Sequence, residues 1–273
     1  MKPLNAVNKM NVIIMGPAGK MGQAMVSSVC DHPELELYGA VGPKGRNYIG
    51  RDLGMVCGLP ETTGVLVCDD LEAIIPGCDI VLDCTCPAAA MHALELCIKH
   101  KKAFVSGTTG FTREQKERFD TAGRAIPVIL AYNTSRMMNV LFNAIRQVAA
   151  RVGARADIDL IDTHDNKKPD APSGTAKEIA DIISEELEHQ NREFTYGNKG
   201  MESRKENTIA FHSIRSGGYP GAVKVIFGFE DEHMELSGMT YNMNTYAQGM
   251  IDAGVFLKDK PPGNYNLKQV FNL

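Results

Sequence analysis

A short, largely apolar segment followed at once by three glycines constrains the fold of this chain more than any other feature. Residues 11–15 have the character of a parallel strand buried on both faces. Gly16, Gly19 and Gly22 follow, and a helical pattern continues to about Cys30. Glycines at a strand–helix turn let the backbone approach a pyrophosphate, and the helix N-terminus supplies N–H donors. The opening therefore predicts a dinucleotide-binding βα unit, although such a turn can also be purely structural.

Strand-like and helical segments alternate as far as residue 133. The strand-like segments are Leu35–Val41, 78–85, Ala103–Ser106 and 127–132, and the helical ones between them are 88–100 and 112–122. This alternation predicts an α/β fold with a parallel, Rossmann-like sheet covered on both faces.

The pattern changes after residue 133. Helices are predicted over 137–152, 174–188 and 246–258, strands over 156–163, 208–214, 222–229 and 233–241, a loop over 164–172 and a polar surface segment over 191–206. We therefore expect a dinucleotide-binding domain at 1–133, to which 246–273 returns. The second domain, 134–245, is predicted to be an α+β substrate-binding and oligomerisation domain with a mixed or largely antiparallel sheet.

Composition excludes several classes of protein. The 273 residues are 44% hydrophobic and 23% charged, and the formal net charge of -4 argues against a nucleic-acid partner. No apolar run approaches the roughly 18 residues of a membrane span, and no signal peptide is visible. The seven cysteines form no zinc-ligand pattern and are expected to be buried thiols. These features predict a cytoplasmic protein with no membrane partner and no metal.

The residues after the second strand bear on the choice of cofactor. An acid at that position favours NAD, but here Lys44 and Arg46 follow the strand and no acid does. The two cations could hold the 2′-phosphate of NADPH, and they could equally be solvated loop charges. NADPH or NADH is expected, with NADPH favoured.

A second motif lies between residues 162 and 176. A strand leads into His164 and Lys168, and Ser173, Gly174 and Thr175 begin a helix. The helix start offers N–H donors to a carboxylate, Lys168 adds positive charge, and His164 can transfer a proton near neutral pH. An ordinary N-cap with loop charges is the alternative interpretation.

The order of the motifs resembles dihydrodipicolinate reductases. It consists of Gly-Pro-Ala-Gly-Lys-Met-Gly at 16–22, Cys-Thr-Cys-Pro at 84–87, Ser-Gly-Thr-Thr-Gly-Phe at 106–111, Ala-Tyr-Asn-Thr-Ser at 131–135 and Asp-Ala-Pro-Ser-Gly-Thr-Ala at 170–176. The resemblance spans nearly the whole chain. It implies reduction of a cyclic unsaturated imine dicarboxylate, a small molecule, by NAD(P)H in a homotetramer of lysine and diaminopimelate biosynthesis.

The resemblance also implies roles for individual residues. His164 would be the acid/base residue and Lys168 the catalytic lysine, while Asp165, Ser173, Gly174 and Thr175 would contact the substrate. The cofactor would be bound by Gly16, Pro17, Ala18, Gly19, Lys20, Met21, Lys44, Gly107, Thr108, Thr109, Ala131, Tyr132, Asn133 and Thr134.

Several positions depart from the family's pattern. Asp165 stands where the family has a second histidine, Met243 and Cys86 where arginines are common, and Arg136, Met137 and Met138 where small residues are usual. The methionines could line a less polar substrate pocket. A diverged enzyme that reduces another conjugated imine or enone is therefore an alternative. A non-catalytic dinucleotide sensor is a third hypothesis, and retention of His164 and Lys168 argues against it.

Overall fold

A computed structural model describes residues 9–187, 192–197, 200–201, 203–219 and 221–273. They form two compact units. The first contains the described residues up to Ser135 together with Met243–Asn272, and the second is Arg136–Asn242. The boundaries expected from sequence, after residues 133 and 245, lie within a few residues of these. Parts of two predicted segments lie outside the described residues. They are residue 188 of the helix predicted over 174–188, and residues 191, 198, 199 and 202 of the predicted surface segment.

Twelve strands, nine α-helices, a 3-10 turn at Ile75–Gly77 and a π-helical turn at Ala149–Gly153 are present in the described part of the chain. The strands are β1 Met10–Met15, β2 Leu35–Val41, β3 Val67–Cys68, β4 Ile80–Asp83, β5 Ala103–Ser106, β6 Pro127–Leu130, β7 Asp157–His164, β8 Glu193–Thr195, β9 Thr208–Arg215, β10 Gly221–Gly228, β11 His233–Thr240 and β12 Gly263–Tyr265. The helices are α1 Lys20–Cys30, α2 Leu53–Cys57, α3 Leu71–Ile74, α4 Pro87–His100, α5 Arg113–Ala122, α6 Arg136–Val148, α7 Gly174–Glu186, α8 Asn244–Leu257 and α9 Leu267–Phe271.

The first unit is built on a seven-stranded parallel sheet in the order β12-β6-β5-β4-β1-β2-β3. The order reverses direction between β1 and β4, as in a doubly wound Rossmann fold, whose ligands bind at that switch point. The expected Rossmann-like domain is therefore confirmed.

Both faces of this sheet are covered by helices, and β1 shows why its sequence is a continuous apolar run. Val12 and Ile14 pack in the core shared with α1, α8 and α9. Ile13 and Met15 alternate with them and pack in the core shared with α4 and α5. Because successive side chains of a strand point to opposite faces, a central strand covered on both sides must be apolar at every position.

The second unit has a five-stranded sheet in the order β11-β10-β7-β9-β8. One face packs against α6 and α7, around residues such as Leu160, Phe211 and Val225. The pairings of β10 with β7 and β11 are antiparallel, whereas those of β9 with β7 and β8 are parallel. The sheet is thus mixed, and not largely antiparallel, because β8 and β9, the two strands after α7, both run in the direction of β7.

Two findings concern the absences expected from sequence. Among the described residues, no helix combines the length and apolarity needed to cross a membrane, and no group of three metal-ligating side chains occurs. All seven cysteines are free thiols, but Cys30 and Cys86 are exposed, so the expectation that the thiols are buried is wrong for these two.

Candidate active site

The turn between β1 and α1 requires glycine at two positions. Gly16 has a φ of +69°, and a Cβ there would lie 2.8 Å from Cγ2 of Thr85. A Cβ on Gly22 would lie 2.1 Å from the carbonyl oxygen of Gly16, so any side chain would force the turn open. Gly19 is the N-cap of α1 and provides no side-chain hydrogen bond to its first turn. This tight turn therefore presents backbone N–H groups to a ligand, which is the arrangement that binds a pyrophosphate.

The loops after β5 and β6 begin at the same edge of the sheet as the turn after β1, because β1, β5 and β6 run in the same direction. The first loop carries Gly107, Thr108 and Thr109, and the second carries 131–134. The predicted cofactor residues of the first unit are thus brought to one edge, next to the switch point. Lys44 lies in the exposed turn after β2 at that edge.

Asp83, the last residue of β4, connects these loops although it is fully buried. Its Oδ2 accepts hydrogen bonds from the hydroxyls of Ser106 and Thr108, each at 2.7 Å, and its Oδ1 accepts one from the hydroxyl of Thr85. The Thr108 hydroxyl also accepts from the Thr85 amide at 2.8 Å. Burial raises the pKa of Asp83, and the hydroxyl hydrogen bonds oppose that shift. Because the Thr108 hydroxyl both donates to Asp83 and accepts from Thr85, its side chain holds the loop after β5 in place.

The loop after β6 is held from two sides. Oδ1 of Asn133 accepts the Ser135 amide at 3.1 Å, and the Thr134 hydroxyl donates to the carbonyl of Tyr246 at 2.7 Å. Gly249 of α8 approaches so closely that a Cβ there would lie 1.6 Å from the Thr134 carbonyl oxygen. Tyr132 is the exposed member of the loop, whereas Ala131, Asn133 and Thr134 are buried.

In the second unit, the end of β7 brings an acid and a histidine to one face of the sheet. The sequence predicts a loop that begins at His164, but the structure places His164 as the last residue of β7. Asp162, two residues earlier, is fully buried, and its Oδ1 lies 2.9 Å from Nδ1 of His164. Arg215 lies on β9, beside His164 in the pairing of β7 with β9. Its Nη2 donates to Oδ2 of Asp162 at 2.9 Å.

The same carboxylate anchors the start of α7. The Ser173 amide donates to Oδ2 of Asp162 at 2.9 Å, and the Ser173 hydroxyl caps the helix by accepting from the Ala176 amide at 3.2 Å. Ser173 is buried, whereas Gly174 is exposed and Thr175 half-buried. Both backbone and side chain of Ser173 thus have structural roles, and Gly174 and Thr175 form the accessible part of the predicted carboxylate site.

Lys168 and Asp165 complete the second motif. Nζ of Lys168 lies 2.8 Å from Oδ1 of Asp170, whose backbone carbonyl accepts a hydrogen bond from Arg215. Oδ1 of Asp165 accepts the Lys167 amide at 2.9 Å, which turns that oxygen back onto its own loop. The acid at the position of the expected second histidine is therefore used locally.

The pKa values of the central pair reflect their partners. Burial alone would raise the pKa of Asp162, but hydrogen bonds from Ser173 and Arg215 outweigh it and lower the pKa. Burial lowers the pKa of His164. The charge of Asp162 acts in the opposite direction, and Lys168 and Arg215 add to the lowering. Asp162 is thus an ionised partner of a histidine that titrates below its ordinary value of 6.5.

Comparisons with known proteins agree along the whole chain. The family models of the dihydrodipicolinate reductase N-terminus and C-terminus match residues 10–134 and 137–271. A 4-hydroxy-tetrahydrodipicolinate reductase of Hahella chejuensis is 34% identical over 96% of this chain and 98% of its own length. That of Geotalea daltonii is 33% identical over the same shares.

The chain belongs to the dihydrodipicolinate reductase family. This confirms the resemblance found in the sequence and places the chain in an enzyme family of oxidoreductases. Among solved structures, a dipicolinate-bound dihydrodipicolinate reductase from Paenisporosarcina sp. TG-14 superposes with a TM-score of 0.76 at 26% identity, covering 94% of this chain and 97% of that one. An amine dehydrogenase from Mycobacterium smegmatis has a TM-score of 0.68 at 14% identity over 97% and 96% of the two chains, and so shares the fold.

The positions that depart from the pattern of dihydrodipicolinate reductases have unlike environments. Met138 is 4% exposed in the core of the second unit, with its Sδ close to Gly238, so it does not line a substrate pocket. Met137, beside it, is 71% exposed. Met243 is the N-cap residue of α8 and Cys86 the exposed N-cap residue of α4.

Three functional candidates of this reductase were not singled out from sequence: Asp83, Asp162 and Arg215. A signal exists for both acids. Asp83 ends the otherwise apolar strand Ile80–Asp83, and Asp162 follows Ile158 and Leu160 at alternate positions, which places it on their buried face. A buried acid must find partners, so such a position indicates a polar network. Arg215 gives no comparable signal, because only the pairing of β7 with β9 brings it to Asp162.

Proposed function

We propose that this chain reduces dihydrodipicolinate to tetrahydrodipicolinate with NAD(P)H, the step for which its relatives are named. The observation that carries the proposal is the cluster of His164, Lys168 and the start of α7, joined through Asp162 and Arg215. It combines a proton donor, a lysine cation and a helix N-terminus, which are the groups needed to bind and protonate an unsaturated dicarboxylate.

The first unit fits a nicotinamide dinucleotide. The Gly16–Gly22 turn admits no side chain at its two critical positions, and the start of α1 lacks a side-chain cap. The pyrophosphate would be held by residues 16–21, and the nicotinamide by 107–109 and 131–134. The bound nicotinamide supplies a hydride. Lys44 and Arg46, exposed and without an acid in the same turn, support a preference for NADPH through its 2′-phosphate.

His164 would protonate the ring position adjacent to the carbon that receives hydride. Its burial and its neighbour Asp162 hold the ring in place, while Gly174 and Thr175 would bind a substrate carboxylate at the helix start. Lys168 would exchange its contact with Asp170 for the substrate. A substrate carboxylate is a comparable anion, so this exchange retains the ion pair.

Oligomerisation would use the face of the five-stranded sheet opposite α6 and α7. Side chains that share this face by register include Ile161, Ile214, Ile226 and Met239. Ile214 and Met239 are exposed large apolar side chains. A homotetramer would bury them, and Ile214→Glu is expected to lower the molecular mass measured by light scattering. Seven free cysteines support a reducing, cytoplasmic compartment.

The test follows NADPH and NADH absorbance with purified protein and dihydrodipicolinate generated by a coupled synthase. Substrate-dependent oxidation, faster with NADPH, is expected. The double variant Lys44→Ala/Arg46→Ala should then lose the preference while retaining the NADH rate. Protein that binds NADPH but does not oxidise it with this substrate would contradict the proposal, and other conjugated imines and enones would become the candidates.

A further inference from the structure

The second unit contains two clusters of identical composition on opposite faces of one strand. In each, an aspartate of β7 lies between an arginine and a histidine. Asp159 contacts Arg204 at 2.8 Å and His212 at 2.7 Å, and Asp162 contacts Arg215 at 2.9 Å and His164 at 2.9 Å. Residues three apart on a strand point to opposite faces. The carboxylates of Asp159 and Asp162 therefore lie on different sides of the sheet and contact different partners.

The clusters differ in burial and in the histidine nitrogen that faces the acid. Asp159 is partly exposed and contacts Nε2 of His212, whose side chain is 36% exposed. Asp162 is fully buried and contacts Nδ1 of His164, whose side chain is 18% exposed. In the buried cluster, Nε2 of His164 therefore points away from the acid. A Cβ at Gly221 would lie 3.2 Å from Nε2 of His164. Because residue 221 is a glycine, the space beside Nε2 stays open.

The contact between Asp162 and His164 is close, but it is not aligned as a regular hydrogen bond. Oδ1 of Asp162 and Nδ1 of His164 make no regular hydrogen bond to any described group, including each other, yet they are only 2.9 Å apart. An ionised carboxylate at this distance favours a proton on Nδ1 and stabilises the imidazolium.

We propose that Asp162 is a positioning residue that fixes the proton of neutral His164 on Nδ1, presents Nε2 to the substrate and stabilises the imidazolium that donates the proton. Arg215 and the Ser173 amide keep Asp162 ionised by binding its other oxygen. One carboxylate thus orients the proton donor and the start of the carboxylate-binding helix together. The inference rests on the proposed function for the role of His164 in the reaction, but the tautomer itself does not depend on it.

Charged groups act on the His164 imidazole in both directions. Asp162 and Asp170 favour its protonation, whereas Lys168, Arg215 and burial oppose it. Asp162→Asn removes the nearest of the favourable charges. It is also isosteric, so its carbonyl oxygen can still accept from Ser173 and Arg215, leaving its NH₂ to donate to Nδ1. The variant should therefore move the neutral proton to Nε2 and lower the His164 pKa further.

The test is ¹⁵N-histidine NMR of the full-length protein over a pH range, with His164 assigned by its absence from His164→Ala. Wild type should show neutral His164 protonated on Nδ1, and Asp162→Asn should show it protonated on Nε2 with the lower pKa. Asp159→Asn, the matched control, should change His212 and leave His164 unaltered. The descending limb of the kcat–pH profile should move to lower pH in Asp162→Asn by the same number of units.

Three outcomes would overturn the inference or separate it from the proposed function. Wild-type His164 protonated on Nε2 contradicts it, and this measurement decides even if Asp162→Asn does not fold. Unchanged tautomer and pKa in a folded Asp162→Asn protein also contradict it. If His164→Ala retains full turnover, the proposed function fails, whereas the tautomer still shows whether Asp162 orients the ring.

Discussion

Asp83 of the first unit and Asp162 of the second have the same exposure and different partners. Both are fully buried near the carboxyl end of a strand. Asp83 accepts hydrogen bonds from three neutral hydroxyls, those of Thr85, Ser106 and Thr108. Asp162 is bound by the guanidinium of Arg215 and a backbone amide, with His164 on its other oxygen.

The pKa shifts of the two acids are opposite because of these partners. Burial raises the pKa of Asp83, and neutral donors only partly offset it. For Asp162, a charged donor and the Ser173 amide outweigh burial, and the pKa falls. Burial by itself therefore does not set the charge of an acid. Asp83 serves to connect loops, whereas Asp162 is an anion at neutral pH that can act on a neighbouring histidine.

The largest effect that the comparison predicts is on turnover. His164→Ala should lower kcat by about 100- to 10,000-fold, because a positioned proton donor is lost. His212→Ala, which removes the histidine of the other Asp–His–Arg cluster, should stay close to wild type. Steady-state rates with circular dichroism as a folding control provide the measurement. Equal losses in both variants would show that the two clusters are not functionally distinct.

Stability should separate the two acids next. Asp162→Asn leaves the Arg215 guanidinium without its charged partner and should cost about 3 kcal/mol of unfolding free energy at pH 7. Asp83→Asn breaks no ion pair, because the donors to Asp83 are neutral hydroxyls, and should cost about 1 to 2 kcal/mol. Urea denaturation of both variants tests the order. A larger loss in Asp83→Asn would mean that the hydroxyl network outweighs the ion pair.

The pH dependence of these losses should have opposite signs. The depressed pKa of Asp162 contributes stability that is present above its unfolded value of 3.8 and is lost as pH falls through the folded value. The loss in Asp162→Asn should therefore shrink in acid. The raised pKa of Asp83 makes ionised Asp83 unfavourable, so stability declines as pH rises from 3.8 through the folded value. The loss in Asp83→Asn should therefore grow in acid. Denaturation curves between pH 3 and 7 distinguish the two, and parallel trends would refute the contrast.

A smaller effect tests the room beside His164. Gly221→Ala would place a methyl group 3.2 Å from Nε2, which is tighter than most carbon contacts. We expect kcat to fall several-fold with little change in stability. Gly228→Ala, at the other end of β10, meets nothing closer than 3.9 Å and is the matched control. Equal activity of the two variants would show that the ring does not need this space.

The fold could be predicted where elements are long and periodic. The strands β1, β2 and β5 and the helix α4 follow directly from apolar runs and capping residues in the sequence. The elements α2, α3, α9, β3, β8 and β12 were not predicted. They are two to five residues long, and a strand such as β3 exists only because β2 pairs with it. The sequence contains no local signal for such pairing.

The candidate site was only partly predictable for the same reason. Asp162 and His164 are two residues apart, so a strand assignment places them on one face. The predicted strand, 156–163, ends one residue before His164, so the prediction did not pair His164 with Asp162. Arg215 and Ser106 both reach the acids through sheet pairing, Arg215 on β9 and Ser106 on β5. Their contribution to the pKa values is a tertiary effect that no spacing in the chain reveals.

The most direct test of the account is a ¹³C NMR titration of the side-chain carboxyl carbons of Asp83 and Asp162. We expect Asp162 to titrate below 3.8 and Asp83 above it. Assignments from Asp83→Asn and Asp162→Asn identify the two signals. Displacement of both midpoints in the same direction would contradict the claim that partner charge, and not burial, decides the role of each acid.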